Sequence, residues 1–263
     1  MKKYYTIGFS ILSIALLTVV STGFMCQQSV AKKAVAASNK VVPNEADKSF
    51  SVLELFTSEG CSSCPPADEL IGKIKAESHN NLFILAYHVD YWNRLGWKDV
   101  FSKPEWSARQ QEYAKHLATE GVYTPQLVVN GHTEFVGSNE IKLRNELAKN
   151  TAAGESKLII TVAKAAGNLV HVTYEARTAN PSLLNIALVQ TDAVTQIKRG
   201  ENKGRELHHV YIVRELKTIE LSNINGSVDI EIPAELKNIP FSIISFIQQK
   251  DNFLITAAAK ASL

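Results

Sequence analysis

The chain has very few cysteines, and their positions limit what they can do. Of its 263 residues only three are cysteine, at positions 26, 61 and 64. Because Cys26 lies within a leader-like N-terminal segment, the rest of the chain carries the single pair Cys61 and Cys64. A framework of several structural disulfides is therefore excluded, and the fold must depend on its hydrophobic core.

The chain also lacks an excess of charge of one sign. It has 28 basic and 26 acidic residues, and removal of a leader containing Lys2 and Lys3 would leave 26 of each. A net charge near zero gives no reason to expect binding to nucleic acid or to a charged membrane surface. We found no internal repeats or low-complexity segments that would change the class of protein.

Long apolar runs are missing except at the N-terminus. Residues 7–20 are apolar, follow Lys2 and Lys3, and are too short to cross a bilayer comfortably. We predict a signal peptide over residues 1–31 and a polar linker over residues 32–48, so that the mature chain has no membrane span. The protein is then exported, to the periplasm or the medium. A lipid anchor at Cys26 is the alternative, although Met25 fits such a site poorly.

The remaining cysteines stand between a predicted strand and a predicted helix. The apolar run at residues 51–56 precedes Cys61-Ser-Ser-Cys64, and Pro65 opens a helical pattern after it. A Cys-x-x-Cys at such a junction is typical of thioredoxin-like redox proteins. About sixty residues later, Thr124-Pro125 leads into a strand that turns at Asn130-Gly131, which indicates the cis-proline loop and hairpin of that fold.

Two regions differ in hydrophobic period. Residues 49–152 alternate strands and helices, which predicts an α/β thioredoxin-like domain with its first strand and helix missing or reduced. Residues 155–263 show a period of two, with turn signals such as Asn225-Gly226. This second pattern predicts an all-β antiparallel, sandwich-like domain.

The dithiol permits thiol–disulfide exchange without a cofactor. Cys61, at a helix N-terminus, is the expected nucleophile, and Cys64 would resolve the mixed disulfide. Pro125 would hold a substrate backbone beside the pair, leaving little room for a metal ion. The expected partners are protein thiols or disulfides and an unidentified redox partner. The Ser-Ser dipeptide between the cysteines does not fix the direction of electron flow.

Glu54 is a further catalytic candidate, because it is the only acid on an otherwise apolar strand. Thioredoxin-like enzymes often place a buried carboxylate there as proton acceptor for the resolving cysteine. Glu54 lies seven residues before Cys61 where that pattern usually leaves six, so the role requires a bulge at residues 57–60. The alternative is a solvated acid at a sheet edge.

The three tryptophans, Trp92, Trp97 and Trp106, are confined to one short stretch. This stretch is longer than a thioredoxin-like core needs, so we interpret it as an insertion near the dithiol. Trp92 and Trp97, together with Thr124, are candidates for substrate binding. The alternative is that the insertion packs a small core of its own.

Other interpretations of the cysteine pair remain open. Cys61–Cys64 could be a structural disulfide in a non-enzymatic binding protein. The pair could also hold copper or zinc with His88, although a second Cys-x-x-Cys is absent. His208 and His209 could not share an ion, since neighbours on a strand face opposite sides. The charged, glycine-containing segment 199–209 is typical of a solvated turn.

Four segments together resemble a known family. Residues 55–68, 88–93, 123–126 and 199–205 are similar to the secreted bacterial family called domain of unknown function 1223, over about residues 50–246. The resemblance implies a thioredoxin-like domain followed by a β-rich domain, with Cys61, Cys64 and Pro125 as the redox site. It implies no substrate. We therefore expect an exported thiol–disulfide oxidoreductase.

Overall fold

The computed structural model describes residues 39–41, 49–77, 81–149 and 156–263. The predicted signal peptide with Cys26, most of the predicted linker, and the boundary between residues 152 and 155 lie outside these residues. Among the described residues, no helix is long and apolar enough to cross a membrane.

The elements alternate along the first half of the chain and are all strands in the second half. In chain order they are β1 Asn39–Val41, β2 Ser51–Thr57, α1 Pro65–Glu77, β3 Leu82–His88, α2 Pro104–His116, β4 Gln126–Val129, β5 Thr133–Val136, α3 Glu140–Ala148, β6 Lys157–Lys164, β7 Leu169–Arg177, β8 Ser182–Gln196, β9 Glu206–Glu220, β10 Asn225–Glu231, β11 Phe241–Gln249 and β12 Ile255–Ser262.

The described strands form two sheets, and the larger one joins both halves of the chain. The eight-stranded sheet has the order β12-β11-β8-β9-β3-β2-β4-β5, and the four-stranded sheet has the order β1-β6-β7-β10. The join is a parallel contact between β3 and β9, where Ala86 pairs with Ile212. The larger sheet is mixed, since β2 pairs parallel with β3 and antiparallel with β4.

The predicted fold class, an α/β thioredoxin-like domain followed by a separate sandwich-like domain, is wrong. Strands from both regions share one continuous sheet, so the described residues form a mostly β structure with three α-helices packed on that sheet. The physical reason is the length of β8 and β9, 15 residues each, or roughly 50 Å at about 3.3 Å per residue. Sequence patterning predicts a strand only at residues 219–221 in this region, because Arg214, Glu215 and Lys217 break the apolar alternation of β9.

Alternation along the strands sorts side chains to the two faces of the large sheet. Leu53 and Leu55 of β2 pack with α1 and α3, whereas Val52 and Phe56 pack in the core that includes Trp106 of α2. That second core continues across the join to Phe246 of β11. On the face that carries α1 and α3, the four-stranded sheet packs on β8, β11 and β12. Helices α1 and α2 therefore lie on opposite faces, which decides which acids can meet the cysteines.

The expected turn at Asn225-Gly226 lies instead within a strand. Both residues are in β10, where Gly226 pairs with Tyr174 of β7. A Cβ on Gly226 would lie 2.4 Å from the Tyr174 hydroxyl oxygen. Glycine is therefore required at this position because a ring packs across it, and not because the chain reverses there.

Candidate functional site

The two cysteines meet in a disulfide at the start of α1. The chain leaves β2 at Thr57, turns through residues 58–60, and reaches Cys61 just before the helix begins at Pro65. Cys61 and Cys64 are bonded, with their Cα atoms 5.4 Å apart, inside the usual range for a disulfide. Both residues are 0% exposed, while Ser62 and Ser63 between them are exposed. The disulfide is therefore shielded beneath its own loop.

The cis peptide bond joins Thr124 to Pro125 beside this disulfide. The carbonyl oxygen of Thr124 lies 3.8 Å from Cys61 Sγ and accepts a hydrogen bond from the Ser63 hydroxyl at 3.3 Å. The Pro125 carbonyl accepts the backbone N–H of Gly137, which anchors the loop to the end of β5. Four of the candidate residues, Cys61, Cys64, Thr124 and Pro125, therefore lie together.

Trp92 and Trp97 lie at the same site, and Trp106 does not. The indole N–H of Trp92 donates to the Thr124 hydroxyl at 2.8 Å, and that of Trp97 donates to Glu59 Oε2 at 2.8 Å. Trp106 is buried in the core under the opposite face of the sheet. The segment between β3 and α2 thus brings two half-buried indoles to the edge of the cysteine loop.

Glu54 does not join the cysteines. It projects to the face of the sheet opposite α1, where its carboxylate accepts hydrogen bonds from Arg109 Nε at 2.6 Å and from the Tyr113 hydroxyl. Strand β2 pairs with β3 in unbroken register from Ser51 to Thr57, so no bulge within β2 turns Glu54 toward the cysteines. Burial alone would lower the pKa of Arg109, but the Glu54 carboxylate outweighs it and raises that pKa. Arg109 therefore keeps its positive charge beside Glu54.

A different group of buried titratable side chains surrounds the start of α1. We call it the acid–histidine cluster; it consists of Glu59, Asp68, His88, Asp99 and His209, each at most 8% exposed. Its members come from five separate parts of the chain: the cysteine loop, α1, the end of β3, the segment between β3 and α2, and β9. The described residues contain no group of three His, Cys, Asp or Glu side chains placed to hold a metal ion.

His88 and Asp99 form one tightly bonded part of this cluster. Nδ1 of His88 lies 2.7 Å from Oδ2 of Asp99, which also accepts the Glu59 backbone N–H at 2.9 Å. Burial alone would raise the pKa of Asp99, but His88 and the N–H groups of Glu59 and Phe101 outweigh it and hold that pKa below its ordinary value. Asp99 is therefore a fully bonded anion that fixes the cysteine loop.

His209 and Asp68 form a second part with looser contacts. His209 Nε2 lies 3.3 Å from Glu59 Oε1 and its Nδ1 lies 3.8 Å from Asp68 Oδ2, yet neither ring nitrogen makes a hydrogen bond. Asp68 Oδ2 accepts a hydrogen bond from the Thr57 hydroxyl at 3.2 Å. Burial raises the pKa of Asp68 to about 7, against the smaller opposing effects of His209 and Thr57.

The loop between β8 and β9 closes over the cysteine loop. The Asn202 side-chain amide donates to the carbonyl oxygens of Glu59 and Cys61, both at 2.9 Å, and Glu201 accepts the Ser62 backbone N–H at 3.1 Å. A Cβ on Gly200 would lie 3.1 Å from Trp97 Cβ, so this loop also packs on the tryptophan segment. Part of the segment expected to be a solvated turn therefore belongs to the site.

Sequence reasoning missed Asp68 and Asn202 and gave His209 no role. Asp68 lies in the first turn of α1, where an acid is ordinarily explained by its favourable interaction with the helix dipole. Asn202 is 1% exposed, but a buried asparagine in a glycine-containing loop looks the same in the sequence as a solvated one. Alternation on β9 does separate exposed His208 from buried His209 as expected, although it does not show what His209 meets.

Comparisons with known proteins bear on this chain as a whole. A family model described as "Protein of unknown function (DUF1223)" matches residues 52–248. The crystal structure of a protein from Agrobacterium tumefaciens is similar, with 26% identity and a TM-score of 0.62, over 81% of this chain and 93% of that one. No curated protein matches.

A second solved structure is a domain of the outer membrane lipoprotein Omp28 from Porphyromonas gingivalis. It has 12% identity and a TM-score of 0.25, over 42% of this chain and 88% of that one. A likeness at this level supports no inference about the fold or function of the present chain.

Proposed function

The chain belongs to the DUF1223 family, whose description assigns no activity, and we propose from the chemistry of its site that it is an exported thiol–disulfide oxidoreductase. Its reactive groups are Cys61 and Cys64. The partners would be protein thiols or disulfides and a separate redox partner that restores the starting state. The proposed chemistry uses neither a cofactor nor nucleic acid.

One observation carries this proposal: five buried titratable side chains surround the loop and the helix start that hold the disulfide. Burying ionisable groups is unfavourable unless they are paired. The Asp68 carboxylate and the His209 ring lie 3.8 Å apart, and neither ring nitrogen makes a hydrogen bond. A purely structural disulfide does not require such groups. Buried titratable groups with perturbed pKa values concentrate at reactive sites, because thiol chemistry requires proton transfer.

The position of Cys61 suits it to nucleophilic attack. It precedes α1, and the partial positive charge at a helix N-terminus favours a thiolate over a thiol. The Cys61 thiolate would attack a substrate disulfide, forming a mixed disulfide and expelling one substrate thiolate. Cys64 would then attack Cys61 Sγ, which releases the second substrate thiolate and leaves the protein oxidised. The reverse sequence oxidises a substrate dithiol.

The surroundings of Cys61 supply candidate contacts for the substrate. The Thr124 carbonyl and Pro125 stand beside the sulfur, and Trp92 holds Thr124 through its hydroxyl. Trp97 is half buried and contacts the cysteine loop through the hydrogen bond that its indole N–H donates to Glu59. We propose that a substrate segment lies along Thr124 and Pro125 with the two indoles flanking it.

Export is part of the proposal and is supported by the N-terminal sequence pattern. Basic residues followed by an apolar stretch and small-residue cleavage sites are typical of a signal peptide. An oxidising compartment would also keep the Cys61–Cys64 disulfide formed in the resting protein.

A second candidate function is a binding protein in which Cys61–Cys64 is structural. The observation that favours it is the burial of both cysteines, since a disulfide at 0% exposure cannot meet a thiol unless its cover moves. The cover consists of exposed Ser62 and Ser63 and the loop that carries Asn202. The two candidates therefore differ in whether this cover opens in the folded protein.

Substitution of each cysteine separates the two candidates. In purified mature protein, Cys61→Ser should abolish reduction of insulin or a model disulfide, because the nucleophile is lost. Cys64→Ser should accumulate mixed disulfides, detected by mass spectrometry before and after treatment with a reductant. As a control, both variants should keep the far-UV circular dichroism of the wild type. If native wild-type protein neither turns over a disulfide nor forms an adduct, the binding-protein function is correct.

A further inference from the structure

Closing the Cys61–Cys64 disulfide inside the protein requires a proton acceptor. Cys64 must lose its thiol proton to attack Cys61 Sγ, and a thiol in an apolar, buried position resists ionisation. Cys64 is 0% exposed, so bulk water has no direct access to this proton. A base within the protein is needed, and this argument rests on the redox function proposed above.

Three of the four buried acids near this part of the sheet are already engaged. Glu54 lies on the opposite face and is paired with Arg109. Asp99 accepts bonds from His88 and from two backbone N–H groups. Glu59 accepts a hydrogen bond from Trp97 and contacts His209. None of the three lies on α1, the helix that Cys64 immediately precedes.

Asp68 differs because it stands in the first turn of α1, and Cys64 immediately precedes that helix. The Asp68 backbone N–H donates to the Cys64 carbonyl at 3.2 Å, so the two residues are one helical turn apart. Helical side chains lean toward the N-terminus, which directs the Asp68 carboxyl group back toward Cys64. Its only hydrogen-bond donor in the described structure is the Thr57 hydroxyl, and no lysine or arginine pairs with it.

We infer that Asp68 is the proton acceptor for Cys64, directly or through one water molecule, and that His209 is its positioning residue. As the Cys64 sulfur bonds to Cys61 and the substrate thiolate leaves, the Cys64 proton passes to the Asp68 carboxylate. When a substrate dithiol reduces the pair, Asp68 returns the proton to the Cys64 thiolate. The electrons move only between sulfur atoms, so no further reactant is needed.

The neighbours of Asp68 support a role in proton transfer. His209 from β9 lies between Asp68 and Glu59, and its two ring nitrogens are buried without hydrogen bonds. The other groups that face this pocket are Glu59 from the cysteine loop and Asp99 with His88, whose ring centroid lies 4.9 Å from that of His209. The burial that raises the pKa of Asp68 to about 7 lets it accept and release a proton near neutral pH.

A two-step reaction with Ellman's reagent isolates the step that uses Asp68. Reduced protein attacks the reagent through Cys61 and releases one thionitrobenzoate, and attack by Cys64 then releases the second. In the wild type the rate of the second release should rise with pH around a midpoint near 7. Asp68→Asn should slow it about 100-fold at pH 7, within the range of general-base effects, and shift the midpoint toward ordinary thiol values near 8.5.

Matched controls lie next to each residue in the sequence. Glu69→Gln changes the exposed acid beside Asp68, and His208→Gln changes the exposed histidine beside His209. Neither should alter the second release, whereas His209→Gln should move its pH midpoint. The inference is overturned if Asp68→Asn and Glu69→Gln have the same pH profile. If Asp68→Asn does not fold, a wild-type midpoint near 8.5 that His209→Gln does not move overturns it equally.

The first release tests the proposed function separately. If native reduced protein releases no thionitrobenzoate at all, the redox function itself fails. If both releases occur and Asp68→Asn leaves the second unchanged, the redox function stands and only the role of Asp68 is lost.

Discussion

Two buried acids on opposite faces of one sheet have different sets of partners. Glu54, in β2, is held by Arg109 and by the Tyr113 hydroxyl. Asp68, in α1, has a hydroxyl donor in Thr57 and a histidine at 3.8 Å, and no arginine or lysine pairs with it in the described structure. A buried carboxylate with a permanent cation is fixed in its charge, whereas one without such a partner can change its protonation. The first is suited to stability and the second to chemistry.

The largest expected effect is the loss of the cation beside Glu54. Arg109→Met should reduce the free energy of unfolding by about 3–5 kcal/mol, because it leaves a buried charge uncompensated. Urea denaturation would measure it. Arg144→Met, which breaks exposed ion pairs to Glu77 and Glu140, should cost far less, because solvent screens exposed pairs.

A double substitution sharpens this test. Replacing both Glu54 and Arg109 with apolar residues of similar size should recover much of the stability lost in Arg109→Met, since no unpaired charge remains. Comparable losses for Arg109→Met and Arg144→Met would contradict the structural role of the Glu54–Arg109 pair.

Asp68 should show the opposite behaviour, with a stability that depends on pH. Its folded pKa, about 7, exceeds the value of 3.8 in an unfolded chain, so the folded state binds the proton more tightly. Stability therefore falls as the pH rises from 3.8 to about 7. Between pH 5 and pH 8 the wild type should lose about 3 kcal/mol more than Asp68→Asn.

Unfolding by urea at the two pH values checks this difference. The matched control, Glu69→Gln, should keep the wild-type dependence on pH. A dependence in Asp68→Asn as steep as in the wild type would mean that Asp68 does not change its protonation over this range of pH.

The sequence could predict most elements but not how they join. Apolar runs and turn signals located β2, α1, β3, α2, β4, β5 and α3, because each depends on neighbouring residues. The pairing of Ala86 with Ile212 depends on residues 126 positions apart, and the charged residues in the second half of β9 broke the apolar pattern that would have predicted that strand. Local patterns therefore predicted two domains where the structure has one shared sheet.

The candidate site shows the same limit. The cysteines and Thr124-Pro125 were recognisable as motifs, since their chemistry depends on residue type and short spacing. Which acid meets Cys64 depends instead on the face to which Glu54 points and on the distant strand that delivers His209. Periodicity alone did not determine either.

The smallest expected effect concerns the loop between β8 and β9, which contacts the cysteine loop. Asn202→Ala should reduce stability by about 2 kcal/mol, because the carbonyls of Glu59 and Cys61 each lose the hydrogen bond that the Asn202 amide donates. It should also speed reduction of the disulfide by dithiothreitol, since the cover is loosened. The exposed neighbour Lys203 provides the control: Lys203→Ala should change neither. An unchanged reduction rate in Asn202→Ala would show that this loop does not control access.

The reduction potential of Cys61–Cys64 tests the central claim most directly. Purified mature protein would be equilibrated in glutathione buffers, and free thiols trapped and counted by mass spectrometry. The proposed redox function predicts a value between about −270 and −120 mV, the range of exchangeable catalytic pairs. A value below about −300 mV would mark an inert structural disulfide and would contradict that function.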